Sequence, residues 1–203
     1  MQPRLAGPLI RDTTPADVAD IVRLRAASWR AAYAGLIPPV YLDAMETGPE
    51  VVARAVRRLE ESPDGYYDLV AEREGRIVAF VMCGPERPMP EQVRAGTPRG
   101  EVYALYAHPG AWSTGAGASL LAAARDRLRA DGHERQVLWV LEGNTRGRAF
   151  YERQGLHATG ERTELQLGGV MLTELQYGNL PAPVVNQRRA QPDTVATPAR
   201  RGS

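Results

Sequence analysis

The chain has 203 residues, 43% of them hydrophobic, and a formal net charge of +1, which suits one domain with a full core. Near-neutral charge leaves no electrostatic footprint for nucleic acid or a membrane surface, so a small molecule or a protein is the expected partner. The single cysteine, Cys83, excludes an intrachain disulfide framework and a cysteine-rich metal site, and all 25 basic residues are arginine, which excludes lysine chemistry.

No apolar run is long enough to span a bilayer and no signal-type start is present, so the cytoplasm is the expected compartment. A short apolar run, Leu9 to Arg11, reads as a strand. Thr14, Pro15 and Asp17 then form a helix-start signal, with Thr14 as N-cap and Pro15 in the first turn. Val18, Ile21, Val22, Leu24 and Ala27 follow at helical spacing, predicting a helix from Ala16 to Trp29 that can run on to Ala34 before Gly35 and Pro38-Pro39 break it. Val40 to Met45 and Pro49 to Glu61 read as further helical pieces.

The pattern changes after Ser62-Pro63-Asp64-Gly65. Tyr67 to Glu72 and Arg76 to Cys83 read as antiparallel strands joined by a tight turn at Glu74-Gly75. Gly84 to Gly100 holds four prolines and three glycines, too many for a regular element, and reads as a loop. Glu101 to His108 is the next strand, followed by a helix from about Ala116 to Ala130 closed at Asp131-Gly132. Gln136 to Glu142 is a buried strand and Arg146 to Gln154 a short helix ended by Gly155. Glu161 to Leu167 and Val170 to Tyr177 form a hairpin turned at Gly168-Gly169. Residues 1–180 make the expected domain. From Pro181 the sequence loses periodicity and carries four arginines against one aspartate, the composition of a disordered tail.

Between the fourth predicted strand and its helix, Gly115 and Gly117 mark a junction suited to an anion. The first amides of a helix lack partners and carry partial positive charge, and glycines let a phosphate come close. Such a pair can equally serve close packing of helix on strand. One strand downstream, Asn144, Gly147, Phe150-Tyr151 and Gly155 place a tyrosine on the next helix. Phe150 is expected to face the core and Tyr151 the cleft.

Glu101-Val-Tyr-Ala-Leu-Tyr-Ala-His-Pro109 followed by Ser113-Thr114-Gly115-Ala116-Gly117-Ala118 resembles motif A of the GNAT superfamily of N-acetyltransferases, and Asn144 to Leu156 resembles its motif B. Trp112 stands where that family usually has Gln or Arg, and Thr114 replaces a common basic residue. The resemblance covers about Leu9 to Tyr177. It implies an α/β GNAT fold, a mixed and largely antiparallel sheet splayed in the middle and flanked by helices. It also implies acetyl-CoA as cosubstrate, its pyrophosphate held by the amides of Thr114, Gly115, Ala116, Gly117 and Ala118, with Asn144 near the pantetheine arm. Tyr151 would protonate the departing thiolate.

Acetyl transfer to an amine needs a group to take the ammonium proton, donors for the charge developing on the thioester oxygen, and an acid for the leaving thiolate. Leu105, Tyr106 and Ala107 occupy the place where the family exposes strand amides at a bulge, with Tyr106 the expected donor. Glu101, six residues before Ala107, is the expected base at the offset some members use, and Glu142 is the second choice at the substrate pocket; Glu101 reads equally as an exposed strand-start carboxylate. Ser28 to Tyr33, Gly35 to Pro38 and Tyr41-Leu42 resemble one branch of the superfamily, which implies that Trp29, Tyr33 and Tyr41 line the acceptor pocket; helix packing is the other reading of these aromatics. His108 reads as a turn residue, and His133 and His157 have no partners at metal-ligand spacing, so no metal is expected. The expected activity is transfer of an acetyl group from acetyl-CoA to a primary amine of a small molecule or peptide by direct attack in a ternary complex. A non-catalytic acyl-CoA-binding or interaction module of the same fold is the alternative. The final hairpin offers an edge for pairing, so monomer and homodimer are both open.

Overall fold

The computed structural model describes residues 7–87 and 98–179. Seven strands form one sheet: β1 (Leu9–Asp12), β2 (Tyr67–Arg73), β3 (Arg76–Pro85), β4 (Arg99–Ala107), β5 (Arg135–Leu141), β6 (His157–Leu167) and β7 (Val170–Gly178). The helices are α1 (Val18–Ala32), α2 (Pro39–Asp43), α3 (Pro49–Glu60), α4 (Ala116–Ala130) and α5 (Thr145–Arg153). Strand order is β1-β2-β3-β4-β5-β7-β6, antiparallel throughout except for the parallel pair β4 and β5. This is the mixed, mostly antiparallel α/β sheet that the motifs imply.

Apolar spacing fixes the layers. Ala116, Leu120, Leu121, Ala124 and Leu128 are fully buried along one stripe of α4, which packs with Leu69, Val81, Leu138 and Tyr177 on one face of the sheet. On the other face Leu24 of α1 packs with Val70 and Phe80. A third cluster ties Trp29, Tyr33, Ile37, Tyr41 and Leu42 to Leu141, Leu165 and Leu172, so α1 and α2 lie against the β5 and β7 end of the sheet.

Parallel pairing of β4 with β5 runs only from Arg99↔Arg135 to Val102↔Leu138, after which the two strands part. β4 carries an extra residue at that point: Val102 pairs with Cys83 and Ala104 with Met82, leaving Tyr103 bulged. The bulge bends β4 away from β5 and opens the sheet.

Several boundaries differ from the sequence reading. The first helix opens as a 3₁₀ turn over Pro15–Asp17 before α1 begins at Val18. Its start is tied by Asp17, whose carboxylate accepts the Thr14 N–H and hydroxyl, each at 2.8 Å. Gly84, Pro85, Arg99 and Gly100, expected in a loop, are strand: Pro85 pairs with Gly100 and Glu86 N–H donates to Arg99 O at 2.8 Å. β6 starts at His157 rather than Glu161, because a register shift between Ala158 and Arg162, with Gly160 at φ +93°, interrupts the alternation. β7 is interior and β6 forms the edge. The tail expected from residue 181 lies outside the described residues.

Candidate active site

The parting of β4 and β5 is a cavity of about 820 Å³, within the range of ligand sites. Its walls come from β4 (Tyr103 to Ala107), β5 (Trp139 to Leu141), the start of α4, α5, and Tyr33 of α1.

One end is an amide cradle. Gly115, at φ +91°, is the N-cap of α4 in the left-handed region that glycine adopts without strain. Ser119 N–H is the first to close the helical ladder, onto Gly115 O at 3.0 Å. The amides of Ala116, Gly117 and Ala118 therefore point out of the helix end, where Gly115, Gly117 and Ala118 line the cavity. Trp112 is clamped beside them, its indole N–H donating to Ala107 O at 2.9 Å. Arg146 of α5 lies over that indole, with its guanidinium carbon 4.0 Å from the ring centroid, and both side chains line the cavity. Arg146 thus brings a guanidinium beside the start of α4. A contact between elements so distant in sequence carries no local signal.

The middle is framed by β4 amides. His108 N–H donates to Val78 O at 2.9 Å across an Ala79↔Ala107 pair. By the two-residue alternation of an antiparallel ladder, Tyr106 then turns its N–H to β3, while Leu105 and Ala107 turn theirs to the gap. The sequence reading favoured Tyr106; the amides that face the cleft are its two neighbours'.

Asn144 caps α5, its Oδ1 accepting Gly147 N–H at 2.9 Å. A Cβ on Gly147 would lie 2.6 Å from Asn144 Nδ2, so the Asn144 amide in its present position rests against the bare Gly147 backbone. The helix so fixed brings both Phe150 and Tyr151 to the cavity and to the core, their ring centroids 5.2 Å apart. Burial pushes the Tyr151 phenol well above its ordinary range, so it is a neutral acid at physiological pH.

At the other end Tyr33 and Tyr106 bring their hydroxyls to 3.4 Å. Glu174 of β7, opposite Leu141, lines the same space, and burial raises its carboxyl from its ordinary value. Glu174 was missed in the sequence. Its signal is the period of two: Leu172, Glu174 and Gln176 share one face of a central strand, where an acid is out of place.

The structure thus brings Leu105, Tyr106, Ala107, Gly115, Gly117, Ala118, Asn144, Tyr151 and Tyr33 to one cavity. The side chains of the remaining candidates lie off its wall, while the Ala116 amide stays in the cradle. Glu101 is 1% exposed and off the cavity wall, its carboxylate accepting the Arg87 backbone N–H at 2.9 Å and the Arg87 guanidinium. Glu142 is exposed and pairs with Arg162 at 3.4 Å. Thr114 hydrogen-bonds Ala111 O through its hydroxyl at 2.7 Å, and Ala116 is buried in the α4 core. Trp29 stands edge-on to Tyr33 behind the wall, and Tyr41 packs under the β6–β7 turn at Gly168. Cys83 is buried, its thiol pushed up to about 12 by desolvation. Among the described residues no group of three or more His, Cys, Asp or Glu is placed to hold a metal, and no helix is long and apolar enough to cross a membrane.

One sheet is parted between its two parallel strands, and a helix start opens on the gap. The model of the acetyltransferase (GNAT) family matches residues 29–156, and the chain belongs to that family. A probable N-acetyltransferase of Mycobacterium tuberculosis is 26% identical over 169 residues, covering 83% of this chain and 91% of its own length. The fold is similar to PaiA N-acetyltransferase of Thermoplasma acidophilum, solved in complex with coenzyme A, with a TM-score of 0.61, 20% identity and coverage of 83% of this chain and 98% of that one. It is also similar to YncA of Salmonella typhimurium, solved with acetyl-CoA, with a TM-score of 0.60, 20% identity and coverage of 85% and 93%.

Proposed function

We propose that the protein transfers the acetyl group of acetyl-CoA to a primary amine of a small molecule or peptide by direct attack in a ternary complex. The observation that carries this reading is the position of Tyr151 in the gap between β4 and β5, with the α4 cradle at one end of the cavity and Tyr33, Tyr106 and Glu174 at the other. The coenzyme A and acetyl-CoA complexes of the two similar structures support acetyl-CoA as the donor.

The residues present fit that donor. The α4 amides and Arg146 receive its pyrophosphate, as unpaired helix amides and a guanidinium suit phosphate oxygens. The Leu105 and Ala107 amides face the gap where charge develops on the thioester oxygen, and donors already in place there lower the barrier. Tyr151 holds its proton for the departing sulfur. Glu101, with its carboxylate committed to Arg87, leaves the ammonium proton to another group.

The test is thiol release from acetyl-CoA with a panel of amines, with the product weighed for one added acetyl group. Amine-dependent release and an acetylated amine support transfer. Tight binding of acetyl-CoA with no turnover by any amine would sink it.

A further inference from the structure

We infer that Glu174 is the carboxylate that receives the acceptor's ammonium and takes its proton, and that the groove around it admits a primary amine bearing a single positive charge. This rests on the reading of the protein as an amine acetyltransferase.

Glu174 is the one acid among the described residues lining the cavity; the other ionic groups there, Arg87, Arg146 and Arg153, are cationic. It stands opposite Leu141, the last residue of β5, at the point where the sheet is open. Leu172, two residues earlier on the same face of β7, packs with Tyr33, Tyr41 and Leu141, so Glu174 looks toward the α1 side and away from the α4 cradle. Tyr33 of α1, Tyr106 of β4 and Arg87 line the same cavity as Glu174, and with Glu101 they are near enough to act on its charge. Burial and Glu101 raise its carboxyl while Arg87 opposes them, which moves a carboxylate toward the pKa of a working base.

Specificity follows from the charge count. One partly buried carboxylate neutralises one ammonium; among the described lining residues a second cation on the same acceptor would meet Arg87 and phenol walls with no further acid to pair with, a costly burial. In the step itself Glu174 takes one proton from the ammonium. The freed nitrogen bonds to the acetyl carbon, the carbon–sulfur bond breaks, and Tyr151 gives its proton to the sulfur. The second nitrogen proton returns to the phenolate through water, so one proton leaves per turnover, on Glu174.

The experiment compares wild type, Glu174→Gln and Glu174→Asp with benzylamine and alanine methyl ester against putrescine and spermidine. It reads kcat/KM from pH 5 to 9, and by calorimetry the binding of each amine to the protein–coenzyme A complex. Wild type is expected to favour the monoamines. Glu174→Gln is expected to lower their kcat/KM at pH 7 by about 100-fold or more, to lose the low-pH inflection that belongs to the carboxyl, and to lose calorimetric amine binding while retaining coenzyme A affinity. Glu174→Asp keeps the charge and is expected to keep the inflection at a reduced rate. An active wild type with an unchanged pH profile in Glu174→Gln, or a preference for spermidine, overturns the inference alone. A wild type that binds acetyl-CoA and acetylates no amine overturns the underlying reading and the inference with it.

Discussion

The Arg146 guanidinium carbon lies 4.0 Å from the centroid of the Trp112 indole, at the mouth of the cleft beside Gly115. One residue comes from the loop before α4 and the other from the first turn of α5, so the pair joins the two elements at which we propose the donor binds. Arg146→Ala removes the cation and the stack. Acetyl-CoA binding should weaken by about 5- to 30-fold, roughly 1–2 kcal/mol, and become less salt-dependent. Arg146→Lys should recover only part, because an ammonium lacks the planar face that covers the ring. Calorimetry at two salt concentrations measures both effects; an alanine variant that binds as wild type does would remove Arg146 from the site.

Gly147 lies against the Asn144 side chain that caps α5. In Gly147→Ala the new Cβ would sit 2.6 Å from Asn144 Nδ2, so the side chain must swing off the Gly147 N–H. Loss of that cap should cost about 1 kcal/mol and lower Tm by roughly 2–4 °C. Asn144→Ala should cost a similar amount, and the double variant little more than either single one, since both remove one hydrogen bond. Additive losses in thermal unfolding would show that the two residues act separately.

At the start of the first helix, Asp17 accepts Arg11 Nη1 at 2.7 Å and Nη2 at 2.9 Å in addition to both Thr14 donors. The Arg11 guanidinium holds this carboxyl well below its ordinary range. A folded-state pKa below the unfolded one means that the stabilisation is complete above about pH 4 and is lost as pH falls through the folded value. Asp17→Asn should cost about 1–3 kcal/mol near neutrality. The gap between variant and wild type should narrow below about pH 4, where Asp17 of the unfolded wild-type chain takes up a proton that the folded chain still refuses. Urea unfolding at several pH values checks this, and a gap that stays constant to about pH 2 would contradict the assignment.

The fold was legible wherever one local rule dominated. The buried stripe of α4 follows from apolar spacing, and the β2–β3 turn follows from Glu74-Gly75, whose φ angles of +52° and +72° suit a tight hairpin. β6 was read short because the shift at Gly160 breaks the alternation on which strand recognition depends. At the site, Asn144 and Tyr151 stand out through the resemblance to motif B, and the structure adds that Asn144 caps α5 and that Tyr151 lines the cavity beside Phe150. Glu101 looked available in the sequence, and only the return of the chain at Arg87, far from it in sequence, covers it. Arg146 and Glu174 gain their surroundings from elements that meet only in the folded chain. The strand amides show a subtler limit: whether Tyr106 or its neighbours face the gap depends on which side β3 pairs, and no residue type records that.

The central claim, that Tyr151 serves as the acid for the leaving thiolate in a working acetyltransferase, is tested most directly by Tyr151→Phe. The substitution keeps the ring that packs against Phe150 and Tyr177 and removes only the hydroxyl. The measurement pairs kcat for amine-dependent thiol release with the Kd for coenzyme A. The account predicts that kcat falls by about 100-fold or more while Kd stays within about two-fold, and that wild-type kcat shows no tyrosine limb below about pH 10 because burial keeps the phenol protonated. An undiminished kcat in Tyr151→Phe would contradict it.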